Sequence, residues 1–343
     1  MANTFFKSFS DADRTTSRTL LHEAIPITGS LVSGTYDTNN NIKSFSHGMF
    51  KSVYDYPFLS SSANHIFDVT YGYATSSTYH NTSNVQNSKK VNMYNQMAQI
   101  LAGFKTDGDV RVFDADGDYS NTTTDKHKEA FFLNFSRLLV KDEIKKGSFS
   151  LTLGTGSAFA SWNANKSVIT DIGAATSHKV NSPAGEYGIL VRAEDDAKVG
   201  LIYYQAGIAV LSSSCLGPLA TTNLVEGNKK HSELVTGSSI DVMADVFLKR
   251  FINVSFNNTT ELNSTIYFCR ANHNEFNYSS NPTYLSDSKI VVKADDLMMP
   301  PRSYATTVGL YSADNELLAV AKLSEPLRKD PTNELTLRVR LDY

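Results

Sequence analysis

Near the end of the 343-residue chain, Gly309 to Leu323 reads GLYSADNELLAVAKL. Two apolar runs flank the polar break from Ser312 to Glu316. Ser, Asp and Asn close tight turns through their own backbone, so the spacing predicts a β-hairpin. In its second arm Leu317, Ala319 and Ala321 share one face, with Leu318 and Val320 on the other. A strand apolar on both faces is expected to be covered on both, inside a sandwich or against a partner.

Working outward, NELTLRVRLDY has the cleanest alternation in the chain. Leu335, Leu337, Val339, Leu341 and Tyr343 face one way, and Thr336, Arg338, Arg340 and Asp342 the other. Burying such a face would contribute roughly 1.5–3 kcal/mol per side chain, so this strand is expected to belong to a core. Upstream, INVSFNN, STIYFCRA, KIVVKA and SYATTVGLY are further strand-like runs, with Pro and Asn or Asp in the breaks. Short strands at such spacing predict a C-terminal antiparallel β-sandwich. A helix is expected just before them in SSIDVMADVFLKRF, capped by Ser238 or Ser239, with Val242, Val246, Phe247 and Phe251 as its apolar stripe.

The remainder divides by composition. Residues 1–90 are polar and loop-rich, rich in Ser, Thr, Asn and Tyr, and read as an arm. Within them LLHEAIPITGS is expected to be a short helical piece stopped before Pro26. HIFDVTYGYA reads as a strand, and the polar run from Tyr73 to Lys90 as a long loop. Residues 91–237 form a mixed α+β region. It opens on a helix over Val91–Phe104, with Met93, Met97, Ile100, Leu101 and Phe104 at three- and four-residue spacing. Strands follow in DVRVFDA, AFFLNFSRLLV, SFSLTLG and GEYGILVRA, and in the pair GLIYY and GIAVL. Residues 238–343 are the helix plus the sandwich. The expected class is mainly β with a few helices, an α+β chain.

Composition excludes several functions. With 32 basic and 35 acidic residues the formal charge is −3, which disfavours a nucleic-acid partner. The longest apolar run, Val199 to Leu211, is interrupted by Gln205 and Gly207 and is too short to span a bilayer as a helix, so no membrane partner is expected. The first residues lack the apolar stretch of a signal peptide, which points to assembly in a cytoplasm. There Cys215 and Cys269 are expected to be free thiols.

Few residues suggest chemistry. Asp114, Asp116 and Asp118 in DADGD resemble the start of a calcium loop, but Tyr119 stands where that loop carries Gly and Asp125 where it carries Glu. A solvated acidic turn is the simpler expectation. The run Glu194-Asp195-Asp196 also reads as a turn, since glycosidases need two carboxyls across a cleft. GTGS at Gly154 lacks the Lys of a phosphate loop. His273 and Glu275 in NHNEF have no zinc-like spacing around them. No catalytic residue, cofactor or metal is assigned. What stands out is Phe256 to Ser286, rich in Asn, Tyr and Phe. Polar, aromatic loops suit protein contacts, and Asn272, His273, Asn274, Glu275, Phe276, Asn277, Tyr278 and Tyr284 are the candidate contact residues.

FFLNFSRLLVKDEIKKGSFSLTLG, NSPAGEYGIL, LIYYQAGIAVL, FNNTTELNSTIYFCRANHNEFNYSSNPTY and GLYSADNELLAVAKLSEPLRK resemble a family of virion structural proteins of large contractile-tailed phages, notably those of marine cyanobacteria. The resemblance runs from about Val91 onward. The hairpin at Gly309 is also similar to that of phage tail-collar and baseplate-attachment domains, departing from it at Asn315 and Glu316, where a Gly would fall. The resemblance implies a non-enzymatic virion component of the tail or baseplate, or of the neck that joins tail to head, partnered by other virion subunits and by further copies of itself; the tail baseplate is the leading expectation. The alternatives are a neck or capsid-associated protein, or a receptor- or carbohydrate-binding tail module.

Overall fold

A computed structural model describes residues 6–27, 41–59, 62–81, 84–119, 125–156, 164–217, 223–225, 229–279, 281–286, 289–290 and 302–343. Among them the strands are β1 (Arg14–Ile27), β2 (Ile42–Ser44), β3 (Lys51–Tyr54), β4 (His65–Tyr73), β5 (Phe113–Asp114), β6 (Lys126–His127), β7 (Glu129–Phe135), β8 (Glu143–Ile144), β9 (Ser150–Gly154), β10 (Lys166–Thr170) and β11 (Tyr187–Arg192). They continue as β12 (Lys198–Tyr203), β13 (Ile208–Ser212), β14 (Asn223–Val225), β15 (Lys229–Lys230), β16 (Phe251–Ala271), β17 (Leu285–Ser286), β18 (Lys289–Ile290), β19 (Ser303–Tyr311), β20 (Leu317–Lys329) and β21 (Leu335–Asp342). The helices are α1 (Val85–Leu101), α2 (Arg137–Val140), α3 (Ala174–Ser177), α4 (His231–Gly237) and α5 (Ile240–Arg250). The chain is mainly β with a few helices, an α+β protein.

Contacts group the chain into two units, one of Leu21–Thr260 and one of Met1–Leu20 with Glu261–Tyr343. These divisions fall elsewhere than residues 90 and 237, where composition changes. β16 belongs to both, residues 251–260 to the larger and 261–271 to the smaller.

The larger unit is built on an antiparallel sheet ordered β16-β9-β10-β11-β12-β13-β7-β4-β3-β2. Alternation decides which side each residue serves. Along β7, Phe131, Leu133 and Phe135 enter one apolar cluster while Ala130 and Phe132 enter another. α5 packs into the first cluster through Ile240, Met243, Val246 and Phe247. α1 supplies Tyr94, Ala98 and Leu101 to the second. Gly72 of β4 is what lets α1 lie so close. A Cβ there would stand 2.7 Å from the Lys90 carbonyl oxygen and the Tyr94 nitrogen.

Several expectations change. α1 begins at Val85, so the last third of the expected loop is helix; Asn84 caps it by accepting from the Gln86 N–H at 2.8 Å. Its buried face is Asn87, Lys90, Val91, Tyr94, Ala98 and Leu101, whereas Ile100 and Phe104 of the expected stripe are exposed. Helical spacing admitted both faces, and a buried lysine was the one signal that hydrophobicity could not supply. LLHEAIPI is strand, not helix, because β1 lies alongside β16 in the sheet. INVSFNN and STIYFCRA are one continuous strand, β16. In α5, Ser239 is the cap, as expected, with its Oγ accepting from Val242 N, yet Val242 itself is exposed. Most of KIVVKA lies outside the described residues.

In the smaller unit β21 pairs antiparallel with the second half of β16, from Ser264↔Asp342 to Ala271↔Leu335. β19 and β20 form a separate two-stranded sheet, joined by a turn in which Ser312 N–H donates to the Glu316 carbonyl at 2.8 Å. Asn315 takes a positive φ of 60° there, which Asn tolerates better than most residues. Residues from both layers line a cavity of about 700 Å³, so the space between them is not filled as a sandwich core would be. Of the expected face of β21 only Val339 is buried; Leu335, Leu337 and Leu341 are half-buried and Tyr343 is exposed. The chain's own described residues do not cover β20 on both faces, since Leu317, Leu318 and Val320 are all exposed; of the two expected covers, the sandwich does not supply it.

Candidate functional site

The smaller unit has little apolar core of its own. Among its described residues Leu310 and Val339 are the buried apolar side chains, beside five buried polar ones: Ser264, Thr265, Ser303, Lys329 and Asp330. Polar stitching replaces packing.

Its centre is Lys329, only 1 % exposed at the end of β20. The ammonium donates to Asn277 Oδ1 at 2.7 Å, to the Asp330 carbonyl at 2.9 Å and to the His273 carbonyl at 3.3 Å. Burial lowers its pKa, against the pull of Asp330 and Glu275. Asn277 Nδ2 donates to the His273 carbonyl at 2.8 Å, and Ser303 Oγ to the Phe276 carbonyl at 2.5 Å. Glu275 pairs with Lys7 at 2.7 Å and accepts from Asn272 N–H at 3.0 Å; the Lys7 bond comes first among the causes that lower its pKa.

These bonds sort the candidate contact residues. Glu275 and Asn277 are turned inward and hold the loop's shape, and Asn272 closes it with its backbone. His273 and Asn274 are presented to solvent, Phe276 and Tyr278 are part-exposed in the cavity wall, and Tyr284 is half-buried in a short turn. The loop is therefore both self-packed and outward-facing, with the two roles on alternate residues.

Sequence reading missed a second surface. On β20 of the hairpin Leu317 is 53 % exposed, Leu318 68 % and Val320 57 %, outside the cavity lining, while Tyr311 of β19, 46 % exposed, stands at the cavity's edge. Phe6 stands edge-on to Tyr311, with ring centroids 5.1 Å apart. The two-sided apolar pattern of β20 was the signal. It marked a face to be covered, and the chain's own described residues do not cover it.

The charged and thiol groups around the cavity have identifiable partners or environments. In the cavity wall Lys7 pairs with Glu275, and Asp13 with Arg270 at 3.1 Å. Cys269 lines the cavity, but burial raises its pKa, which leaves it a protonated thiol. Cys215 is likewise free and is pushed up to about 12 by burial. His273 is solvent-exposed and lies 3.5 Å from Glu334.

In the larger unit Asp114, Asp116, Asp118 and Asp125 bring carboxylate oxygens within 4.8 Å of one another. An all-oxygen set of this kind suits a hard cation such as Ca²⁺. Lys126 already supplies positive charge, with Nζ 2.8 Å from Asp114 and 3.5 Å from Asp125. Burial raises the Asp114 pKa, and the Lys126 bond works against that rise. Lys126→Ala is expected to cost about 2 kcal/mol, the cost of leaving a buried acceptor unpaired, and to raise the Asp114 pKa further. Urea titrations over a range of pH check this, the loss shrinking as the pH falls, because a raised carboxylate pKa favours the neutral, cheaper-to-bury form. Glu194, Asp195 and Asp196 make the tight turn expected of them. Glu194 accepts from Val168 N–H at 3.0 Å, and Asp195 pairs with Arg192 at 3.1 Å. The carbonyls of Gly154 and Gly156 accept from the buried Arg250 guanidinium, so this Gly-rich piece binds the chain itself; Ser157 of GTGS lies outside the described residues.

The fold defines a class: a mainly β, α+β chain whose smaller unit is thinly packed, with exposed apolar side chains on one hairpin. No protein-family model, curated protein or solved structure matches the chain.

Proposed function

We propose that this chain is a non-enzymatic structural component of a tailed-phage virion, placed in the tail baseplate, and that it works through protein–protein interfaces. The observation that carries the interface reading is the smaller unit's balance of surfaces. It buries two apolar side chains among its described residues, yet leaves Leu317, Leu318 and Val320 exposed along β20, with Tyr311 exposed beside them on β19. An isolated two-stranded hairpin is marginal in water, and contiguous exposed apolar side chains mark interaction sites. The virion and baseplate assignment rests on the sequence resemblance alone.

Cryo-electron microscopy of intact particles that encode this chain tests the assignment. The expected result is a ring of copies at the tail end. Copies spread over the capsid shell, or particles lacking the chain, would sink it. A double variant, His273→Ala with Tyr278→Ala, tests the loop. Both side chains are exposed, so folding stability is expected to change by less than about 1 kcal/mol while incorporation into particles falls. Binding of the isolated protein to host glycans, lost in the same variant, would favour a carbohydrate-binding role instead.

A further inference from the structure

The contact reading leaves open what covers the outward face of the β19–β20 hairpin. We propose that a second copy of this chain covers it, the two hairpins packing antiparallel about a two-fold axis near Ala319. This inference rests on the contact-surface reading above and names the partner.

Three features of the face select this occupant. The first is its apolar middle. Tyr311 lies opposite Leu317, and Gly309 opposite Val320, so the exposed side chains are neighbours across the ladder. Gly309 is where the Tyr311 ring folds over the strand, since a Cβ there would come within 2.9 Å of that ring. The stretch from Leu317 to Ala321 carries no charge, so a two-fold brings no like charges together at its centre.

The second is charge at the two ends. Asp314 and Glu316 sit in the exposed turn, and Lys322 lies exposed at the far end of the patch. None of the three has an ion pair among the described residues. Glu316 and Lys322 are about 20 Å apart along an extended strand. A two-fold axis midway between them sets each acidic turn against the other copy's lysine. Apolar centre and charged rim are the usual anatomy of a protein interface, and an isologous pair satisfies both ends at once.

The third is that other partners fit less of the surface. A nucleic acid or anionic membrane would meet Asp314 and Glu316 with repulsion. A uniformly acidic or uniformly basic protein would pair with one end and oppose the other.

One hairpin face is smaller than the roughly 800 Å² per partner of a standard interface, so the expected dissociation constant is on the order of 10 µM. Analytical ultracentrifugation of the full chain from about 1 to about 200 µM should then show a monomer–dimer equilibrium. Leu318→Glu is expected to weaken it at least about tenfold with unchanged circular dichroism, because the side chain is already exposed. Lys322→Glu should weaken it too, and adding Asp314→Lys and Glu316→Lys to that variant should restore it, which a misfolded variant could not do. A wild-type chain that stays monomeric throughout, or a dimer indifferent to Leu318→Glu, overturns the proposal. In that case Leu318→Glu still blocks incorporation into particles if the broader contact reading holds. Dimers whose loss leaves incorporation intact support the pairing and count against the assembly role.

Discussion

Lowering the pH from 7 to 5 is expected to remove about 4 kcal/mol of the stability of the larger unit, through two buried neutral histidines. His231 is 1 % exposed and neither ring nitrogen has a hydrogen-bond partner among the described residues. It stacks near Phe131 and Tyr71, with Lys90 close by from α1. Burial first, then the Lys90 charge, lowers its pKa from 6.5 to about 3. His127 is also buried, its Nε2 unpartnered among the described residues, and desolvation lowers its pKa to about 4 against the pull of Asp125. Below pH 6.5 the unfolded chain binds a proton at each site and the folded chain does not. Stability from these groups is thus complete above about pH 6.5 and falls as the pH drops toward 4 and 3. Each histidine accounts for about 2 kcal/mol at pH 5, at about 1.4 kcal/mol per pH unit. Asp114, Glu129, Asp171 and Asp245 have raised pKa values, chiefly from burial, and act in the opposite sense as the pH falls, so the His231→Phe comparison reads the histidine share. His231→Phe separates the contributions. Phe suits the aromatic surroundings, forfeits no hydrogen bond to the described residues, and should remove about half of the pH 7-to-5 loss in denaturant titrations. A loss of the same size in the variant would refute the assignment.

Gly72→Ala is expected to cost about 3 kcal/mol or more, at the upper end of overpacking effects. The added methyl would meet the backbone of α1, not a side chain that could turn away. β4 is held on both flanks by β3 and β7, with Gly72 opposite Ala130, so the strand cannot retreat. The helix would have to lift, and its lifting would break specific bonds. The Tyr94 hydroxyl donates to the His127 carbonyl at 2.7 Å and accepts from Phe113 N–H at 3.1 Å. The Lys90 ammonium, pushed down to about 8 by burial, donates to the Val235 carbonyl near the end of α4. Gly237→Ala is the control, since a Cβ there meets nothing within 4 Å. It should change the urea midpoint little, whereas Gly72→Ala should shift it strongly.

The sequence was informative wherever a local rule acted alone. Period-two alternation located β9 and β21, paired apolar runs around a short connection located β12 and β13, and turn chemistry located the bend between Tyr311 and Leu317. The Ser239 cap placed the start of α5. Reading failed where a choice between two local answers rested on a distant partner. α1 could bury either of two faces, and the close approach at Gly72 selected the one carrying Lys90. LLHEAIPI could coil or extend, and its place beside β16 in the sheet made it strand. The contact loop was legible as polar and aromatic, but which of its residues point outward depends on Lys329, distant in sequence, drawing Asn277 and the His273 carbonyl inward.

The hairpin at Gly309 shows the division most clearly. Residue types alone determined that it is a hairpin, that its turn tolerates a positive φ, and that both faces of β20 are apolar, because those properties follow from side chains and their neighbours in sequence. Only the tertiary structure decided that one face looks onto a cavity and the other onto solvent. Coverage depends on what lies within a few ångströms in space, and apolar alternation cannot state whether the covering surface belongs to the same chain.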